Sequence, residues 1–298
     1  MPRSVLEFKE FNIGDMVIDP TIVMVAKRGS GKSFLTKDIV YHLNTSKKIP
    51  AGCVISETES ANPFYKDFFP DLFIHYEIKP GFLSQCLYRQ SLMIAKTRLK
   101  KKQGKKVDPS LLLILDDMLA EKKTWAKDIA IRKIFMNGRH YRLTFILTMQ
   151  APLGIEPAFR DNFDYIFLYP VDSINQLKKV HDNYAGCIPD VRLFNKILLK
   201  LTEDYRVMMI NRRTKGNSLY DKVFWYKAKN RDFMFGSRQF RKSHQKYYNP
   251  NHANDEMFNK KPNMEIDLDS FIGKKKDLGD VHVSIKKNTT KYHSDGID

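Results

Sequence analysis

The stretch AKRGSGKS, residues 26–33, decides how this chain is read. An apolar run, Ile22-Val23-Met24-Val25, precedes it, and a segment with helical spacing, residues 33–44, follows it. A glycine-rich turn between a buried strand and a helix directs backbone N–H groups inward, where they cradle phosphates. The helix adds the partial positive charge of its N-terminus. On this reading Lys27, Arg28, Gly29, Ser30, Gly31, Lys32 and Ser33 form a nucleotide-binding loop. Lys32 reaches the β- and γ-phosphates of ATP, and the Ser33 hydroxyl binds Mg²⁺. Ala26 stands where the pattern usually begins with glycine, while the rest of the pattern is intact.

Working outward, LLLILDD, residues 111–117, follows about eighty residues later. Five apolar residues lead into two carboxylates at the C-terminal end of a strand, which is where α/β sheets place their ligands. An acid at this position holds the Mg²⁺ shell in P-loop NTPases, a role that suits Asp116. A second acid directly after it can polarise an attacking water, which makes Asp117 the candidate general base. A third stretch, LTFILTMQ at residues 143–150, reads as a strand ending in an amide. Beside the acid-bearing strand, Gln150 can hydrogen-bond the attacking water or the γ-phosphate and so sense hydrolysis.

The remaining pattern alternates strands and helices. Strands are expected at residues 16–18, 21–25, 53–55, 111–115, 143–149 and 165–169, with two late strands, 206–211 and 223–227, forming a hairpin pair. Helices are expected at 33–44, 81–102, 124–141, 173–184 and 191–201, and residues 63–76 read as aromatic and irregular. Short apolar runs separated by helices specify a mainly parallel sheet covered on both faces. Residues 1–248 therefore read as one α/β domain. Residues 249–298 are polar and read as a flexible tail with a short docking segment at 266–272.

Composition narrows the function classes. The formal net charge is +17 over 298 residues. Residues 251–298 contribute 8 lysines against 9 carboxylates, which leaves 43 basic and 25 acidic groups, +18, in the first 250. Such a body attracts polyanions, nucleic acid foremost. No apolar run approaches the ~20 residues that span a bilayer, and MPRSVLEFKEFNIGD lacks the apolar core of a signal peptide. Cys53, Cys86 and Cys187 are widely spaced and odd in number, which points to a reducing compartment and no zinc site. A basic run at residues 98–106 could touch DNA or be a solvated loop, and RKSHQKYY at 241–248 mixes basic and aromatic residues.

In order, AKRGSGKSFLTK, LLLILDDML, NGRHYRLTFILTMQ and FRDNFDYIFLY resemble the genome-packaging ATPases of large DNA viruses, the poxvirus-type branch of the FtsK–HerA superfamily. The resemblance covers roughly residues 13–169. It implies a RecA-like P-loop fold and a homo-oligomeric ring motor that pumps double-stranded DNA into a preformed capsid, with capsid or portal proteins as partners. The setting it implies is the host cytoplasm at viral assembly sites. It also implies that Lys32 and Ser33 hold nucleotide and metal, Asp116 supports Mg²⁺, Asp117 activates water and Gln150 senses hydrolysis. The second acid is Asp where cellular relatives have Glu, which shortens its reach. Ring motors draw an arginine from the neighbouring subunit; Arg139 and Arg160 are the candidates here, with Arg142 third. Two other classes stand beside this one, a small-molecule P-loop kinase and a non-catalytic DNA-binding virion component. The lysine-rich, arginine-poor stretch before the acid strand disfavours the kinase. The intact Lys32, Ser33, Asp116 and Asp117 disfavour the binding protein.

Overall fold

The computed structural model describes residues 6–117 and 128–250. The apolar runs assemble into one eight-stranded sheet. Its strands are β1 (Thr21–Val25), β2 (Ala51–Ser56), β3 (Ile74–His75), β4 (Leu111–Asp116), β5 (Leu143–Met149), β6 (Tyr165–Leu168), β7 (Arg206–Asn211) and β8 (Val223–Lys227). Their order across the sheet is β3-β2-β4-β5-β1-β6-β7-β8. The first six run parallel; β7 and β8 are antiparallel to their neighbours. β5 separates β1 from β4, so its C-terminal end lies between the phosphate loop and the acid pair.

Period-two alternation divides each central strand between two cores. Val23 and Val25, Leu113 and Leu115, and Phe145 and Leu147 face one side. That side is covered by α2 (Phe82–Lys102), α3 (Ile129–Asn137), α4 (Ile174–Tyr184) and α5 (Val191–Leu201). Ile22 and Met24, Leu112 and Ile114, and Ile146 face the other, beneath α1 (Lys32–His42) and α6 (Arg238–Tyr247). Helix ends are set locally: the Asp128 carboxylate accepts from the Ala130 N–H at α3, and Asp190 accepts from Leu193 N–H at 3.2 Å at α5. The fully buried Asp38 of α1 anchors the chain beyond β8, accepting from Tyr226 Oη at 2.6 Å, Lys229 N at 2.9 Å and Arg231 Nε at 2.7 Å.

The mainly parallel, doubly covered sheet is as expected from the sequence. Several elements differ. Residues 16–18 are not a strand: β1 already has β5 and β6 on its two edges, so no ladder is open to them. Instead Val17 N donates to Tyr165 Oη at 2.9 Å, Ile18 is exposed, and Asp19 turns the chain at φ 54°. The segment expected to be irregular ends in the two-residue edge strand β3. The late strands pair, but residues 212–222 join them through a helical turn, Leu219–Lys222, rather than a tight hairpin. The helix expected at 124–141 runs over Ile129–Asn137 and tightens into a 3₁₀ turn, Gly138–Tyr141. Its residues 124–127, and the expected tail from 251 onward, lie outside the described residues. Helix α6, which contains seven of the eight residues of RKSHQKYY, had no counterpart in the strand-and-helix pattern.

Candidate active site

The loop after β1 takes its shape from two glycines. Gly29 (φ 74°) and Gly31 (φ 88°) both occupy the left-handed region, which a side chain disfavours. An added Cβ at either would meet no atom within 4 Å, so the demand is conformational and the cradle itself is open. Lys32 begins α1 and is buried. Its Nζ donates to the carbonyls of Ala26 at 3.0 Å and Lys27 at 3.1 Å, bending the side chain back over the loop. Burial lowers its pKa, while Asp117 and Asp116 oppose that shift. Ser30 Oγ closes the turn onto Lys27 O at 2.8 Å, and Tyr169 Oη, just past β6, braces it by donating to Gly31 O at 3.3 Å. Ser33 is half-buried in the first turn of α1, Arg28 is exposed, and Lys27 pairs on the surface with Asp172.

The acids are fixed by strand register. Ser56 of β2, Asp116 of β4 and Thr148 of β5 are lateral partners in one row, with Met24 of β1 next in line. One row of a parallel sheet shares one face, here the face beneath α1. Thr148 Oγ1 donates to Asp116 Oδ1 at 2.5 Å, and Ser56 Oγ donates to Asp116 Oδ2 at 3.3 Å. Burial pushes the Asp116 carboxyl up, and the Thr148 hydroxyl opposes this by stabilising the charged form. Asp117 leaves the strand at φ 55°, donating its N–H to Thr148 Oγ1 at 3.0 Å. The turn swings its carboxylate away from the row and onto the Gln150 side-chain amide, which donates to Asp117 Oδ2. Thr148 thus holds both acids through a single hydroxyl.

The β2–β3 connection adds a wall that the sequence reading did not contain. Glu59 is buried and accepts from Phe64 N at 2.9 Å and Lys66 N at 3.0 Å, shaping the turn that carries Tyr65. Tyr65 is fully buried with Asp116, Glu59 and Thr36 as its polar neighbours. Its hydroxyl forms no hydrogen bond of acceptable geometry. Ser56 and Thr148 were missed although each is a polar residue closing an apolar strand. Tyr65 left no such signal, since one tyrosine in FYKDFF reads as core.

The arginine candidates stand elsewhere. Arg160 is buried, donating from Nε and Nη2 to Ile155 O at 3.1 and 2.6 Å and from Nη1 to Asn183. Arg139 precedes β5 and pairs with Asp164 at 2.5 Å; Arg142 pairs with Asp19 at 2.6 Å. Asp164 accepts from the N–H of Thr21, the first residue of β1. Arg139 and Arg142 therefore lie where the parallel strands begin, at the opposite end of the sheet from the phosphate loop.

The donor set fits a nucleotide with Mg²⁺. Ser33 and Asp116 offer hard oxygen ligands, and Mg²⁺ in phosphate sites takes one or two carboxylates, keeping water and substrate phosphates for the rest. Among the described residues no group of three His, Cys, Asp or Glu could hold a metal ion. No helix among them is long and apolar enough to cross a membrane.

No protein-family model matches the sequence. The solved genome-packaging NTPase B204 of Sulfolobus turreted icosahedral virus 2, in complex with AMP, aligns with 72% of this chain and 100% of its own at a TM-score of 0.50 and 18% identity. That likeness bears out the P-loop ATPase fold inferred from the motifs. Protein L437 of Acanthamoeba polyphaga mimivirus is 51% identical over 255 residues, 86% of this chain and 89% of its own. Protein 075L of Invertebrate iridescent virus 6 is 32% identical over 236 residues, 78% of this chain and 87% of its own. Both relatives are uncharacterized. At that identity and coverage, this chain belongs to the family of large-DNA-virus proteins that includes mimivirus L437 and iridescent virus 075L.

Proposed function

We propose that this protein is a Mg²⁺-dependent ATPase that drives double-stranded DNA into a viral capsid. The observation that carries the reading is the meeting of Lys32 with the Ser56–Asp116–Thr148 row and the Asp117–Gln150 pair, three stretches of sequence brought to one end of the sheet. Mg²⁺ held by Ser33 and Asp116 would supply neutralisation of phosphate charge. The chain's own residues do the rest. Loop N–H groups and the α1 N-terminus hold the phosphates, and Lys32 exchanges its two loop carbonyls for phosphate oxygens. Ser33 and Asp116 hold the metal side. Asp117 takes the proton of the attacking water, and Gln150 orients that water or reports the loss of the γ-phosphate. Residues 1–248 constitute the motor unit, which acts as a homo-oligomeric ring at viral assembly sites in the host cytoplasm against capsid or portal proteins.

Arg160 and Arg139 are the candidates for the arginine that a neighbouring subunit supplies, since an arginine acting in trans works in its neighbour's site and need not lie near its own phosphate loop.

The test is ATP turnover by the full chain with and without linear duplex DNA. Mg²⁺-dependent hydrolysis stimulated severalfold by DNA of any sequence supports the motor. Turnover that ignores DNA but rises with a small phosphoryl acceptor supports a kinase. DNA binding with no turnover supports a non-catalytic virion component.

A further inference from the structure

The end of the sheet opposite the phosphate loop carries a continuous basic track. Its main part is an open cleft of about 610 Å³ between the C-terminal half of α2, the link into β4 and the 3₁₀ turn before β5. The buried Gln90 amide ties these three segments together, donating to Pro109 O at 2.9 Å and Tyr141 O at 2.8 Å. Arg98, Lys106, Arg139, His140 and Arg142 line it. At Arg139 and His140 it meets a second cleft of about 290 Å³ that adds Arg212 and Arg213. At Arg142 it meets a third of about 200 Å³ that adds Lys47. Together they pass the starting ends of β4, β5, β1 and β6 and the finishing end of β7. Five strands at about 4.8 Å spacing give a track of roughly 19 Å.

The carboxylates along the track orient its arginines without covering them. Asp19 and Asp164 are buried; Asp19 pairs with Arg142 at 2.6 Å, and Asp164 with Arg139 at 2.5 Å and Arg213 at 3.6 Å, while Asp161 lies 3.7 Å from Arg212 and Asp108 also lines the clefts, so the seven Arg and Lys side chains outnumber four carboxylates. The Arg142 and Arg139 side chains stay 38% and 44% exposed, with N–H donors left over. Arg98 and Lys106 have no carboxylate within ion-pair distance among the described residues.

We infer that this track holds the phosphodiester backbone of duplex DNA, at the end of the sheet remote from ATP. The inference rests on the DNA-motor reading and gives it a place on the molecule. A free phosphate metabolite calls for donors converging on one point, whereas these cations are strung along roughly 19 Å, over half a turn of B-form DNA. Arginine forks suit phosphate oxygens, which carry no sequence information, so recognition through this track is independent of sequence. Separation from the phosphate loop lets DNA and nucleotide bind together.

The experiment measures binding of two unrelated fluorescent duplexes to the full chain across a salt series. The Arg98→Ala/Lys106→Ala variant is compared with Arg238→Ala/Lys242→Ala, which removes the same charge from the exposed face of α6. A salt slope about 2 smaller for the cleft variant alone, with affinity reduced about tenfold for both duplexes, is expected. Its thermal midpoint and DNA-independent ATP turnover should match the unmutated chain. Equal losses in both variants would mean that net charge alone attracts DNA, and would overturn the assignment, as would an unchanged cleft variant. Unchanged DNA binding with lost binding to phosphatidylserine vesicles would make the track a membrane surface instead. Failure of the unmutated chain to bind DNA would remove the motor reading itself, and these outcomes are distinct.

Discussion

Lys32, Asp116 and Asp117 were legible from sequence because their chemistry is local: each ends or begins an element whose apolar run announces it. Their partners were not. Ser56 and Thr148 reach Asp116 only through lateral register across three strands, a relation that no single window contains. Lys32→Ala should abolish turnover and weaken nucleotide binding, because the phosphate charge loses its nearest cation. Asp117→Asn should bind nucleotide normally and fail to hydrolyse it, since an amide cannot take the water's proton; separate measurements of binding and turnover check both, and turnover at the unmutated rate would refute the general base. Tyr65→Phe is expected to act in two directions. Removing a buried hydroxyl that lacks a hydrogen bond should leave stability unchanged or raise it by up to ~1 kcal/mol. Losing a group that stands beside Asp116 should raise the Mg²⁺ concentration for half-maximal turnover about tenfold. A variant that melts earlier with an unaltered Mg²⁺ requirement would make Tyr65 merely structural.

At the scale of elements, the central strands were readable as buried apolar runs, and the errors fell where tertiary context decides. Residues 16–18 carry strand-like side chains but meet a β1 with both edges occupied. Helix α6 has a basic, polar sequence and is held by Phe240, which stacks on Phe73 at 4.0 Å, and by His244, whose Nδ1 accepts from Leu72 N at 3.3 Å. Close packing also fixes Gly52 in β2, where an added Cβ would lie 2.9 Å from the Leu112 carbonyl oxygen and 2.9 Å from the Phe235 ring. Gly52→Ala should therefore cost ~1–3 kcal/mol in urea unfolding, because the backbone atom cannot move aside. The turn before β1 gives a pH signature. Burial pushes the Asp19 carboxyl up to about 6 from its ordinary 3.8, with Arg142 only partly offsetting it. A raised carboxyl pKa means that folding favours the proton, so this contribution is present below about 3.8 and lost as pH rises through about 6. Asp19→Asn should gain on the unmutated chain by on the order of 2–3 kcal/mol between pH 4 and 6.5. Parallel stability profiles for the two proteins would contradict that burial effect.

For the whole molecule, the account is one of two ends. The ends of β1, β4 and β5 gather the loop, the acid row and Gln150; their beginnings gather paired and unpaired cations. The sequence showed the total charge and the motifs, but the polarity comes from chain direction, which puts the starts of the six parallel strands on one side. A ring assembled from such subunits should show turnover per subunit that rises with protein concentration, with ATP and DNA shifting assembly to lower concentration by binding the assembled form. A concentration-independent rate from a proven monomer would contradict the ring. The central claim, that hydrolysis at one end moves duplex held by the molecule, is tested most directly by displacement of a triplex-forming oligonucleotide from linear duplex DNA. The account predicts release of the third strand with ATP and Mg²⁺, and none with a non-hydrolysable analogue or with the Asp117→Asn chain. An unmutated protein that hydrolyses ATP on that duplex yet leaves the third strand in place would contradict it.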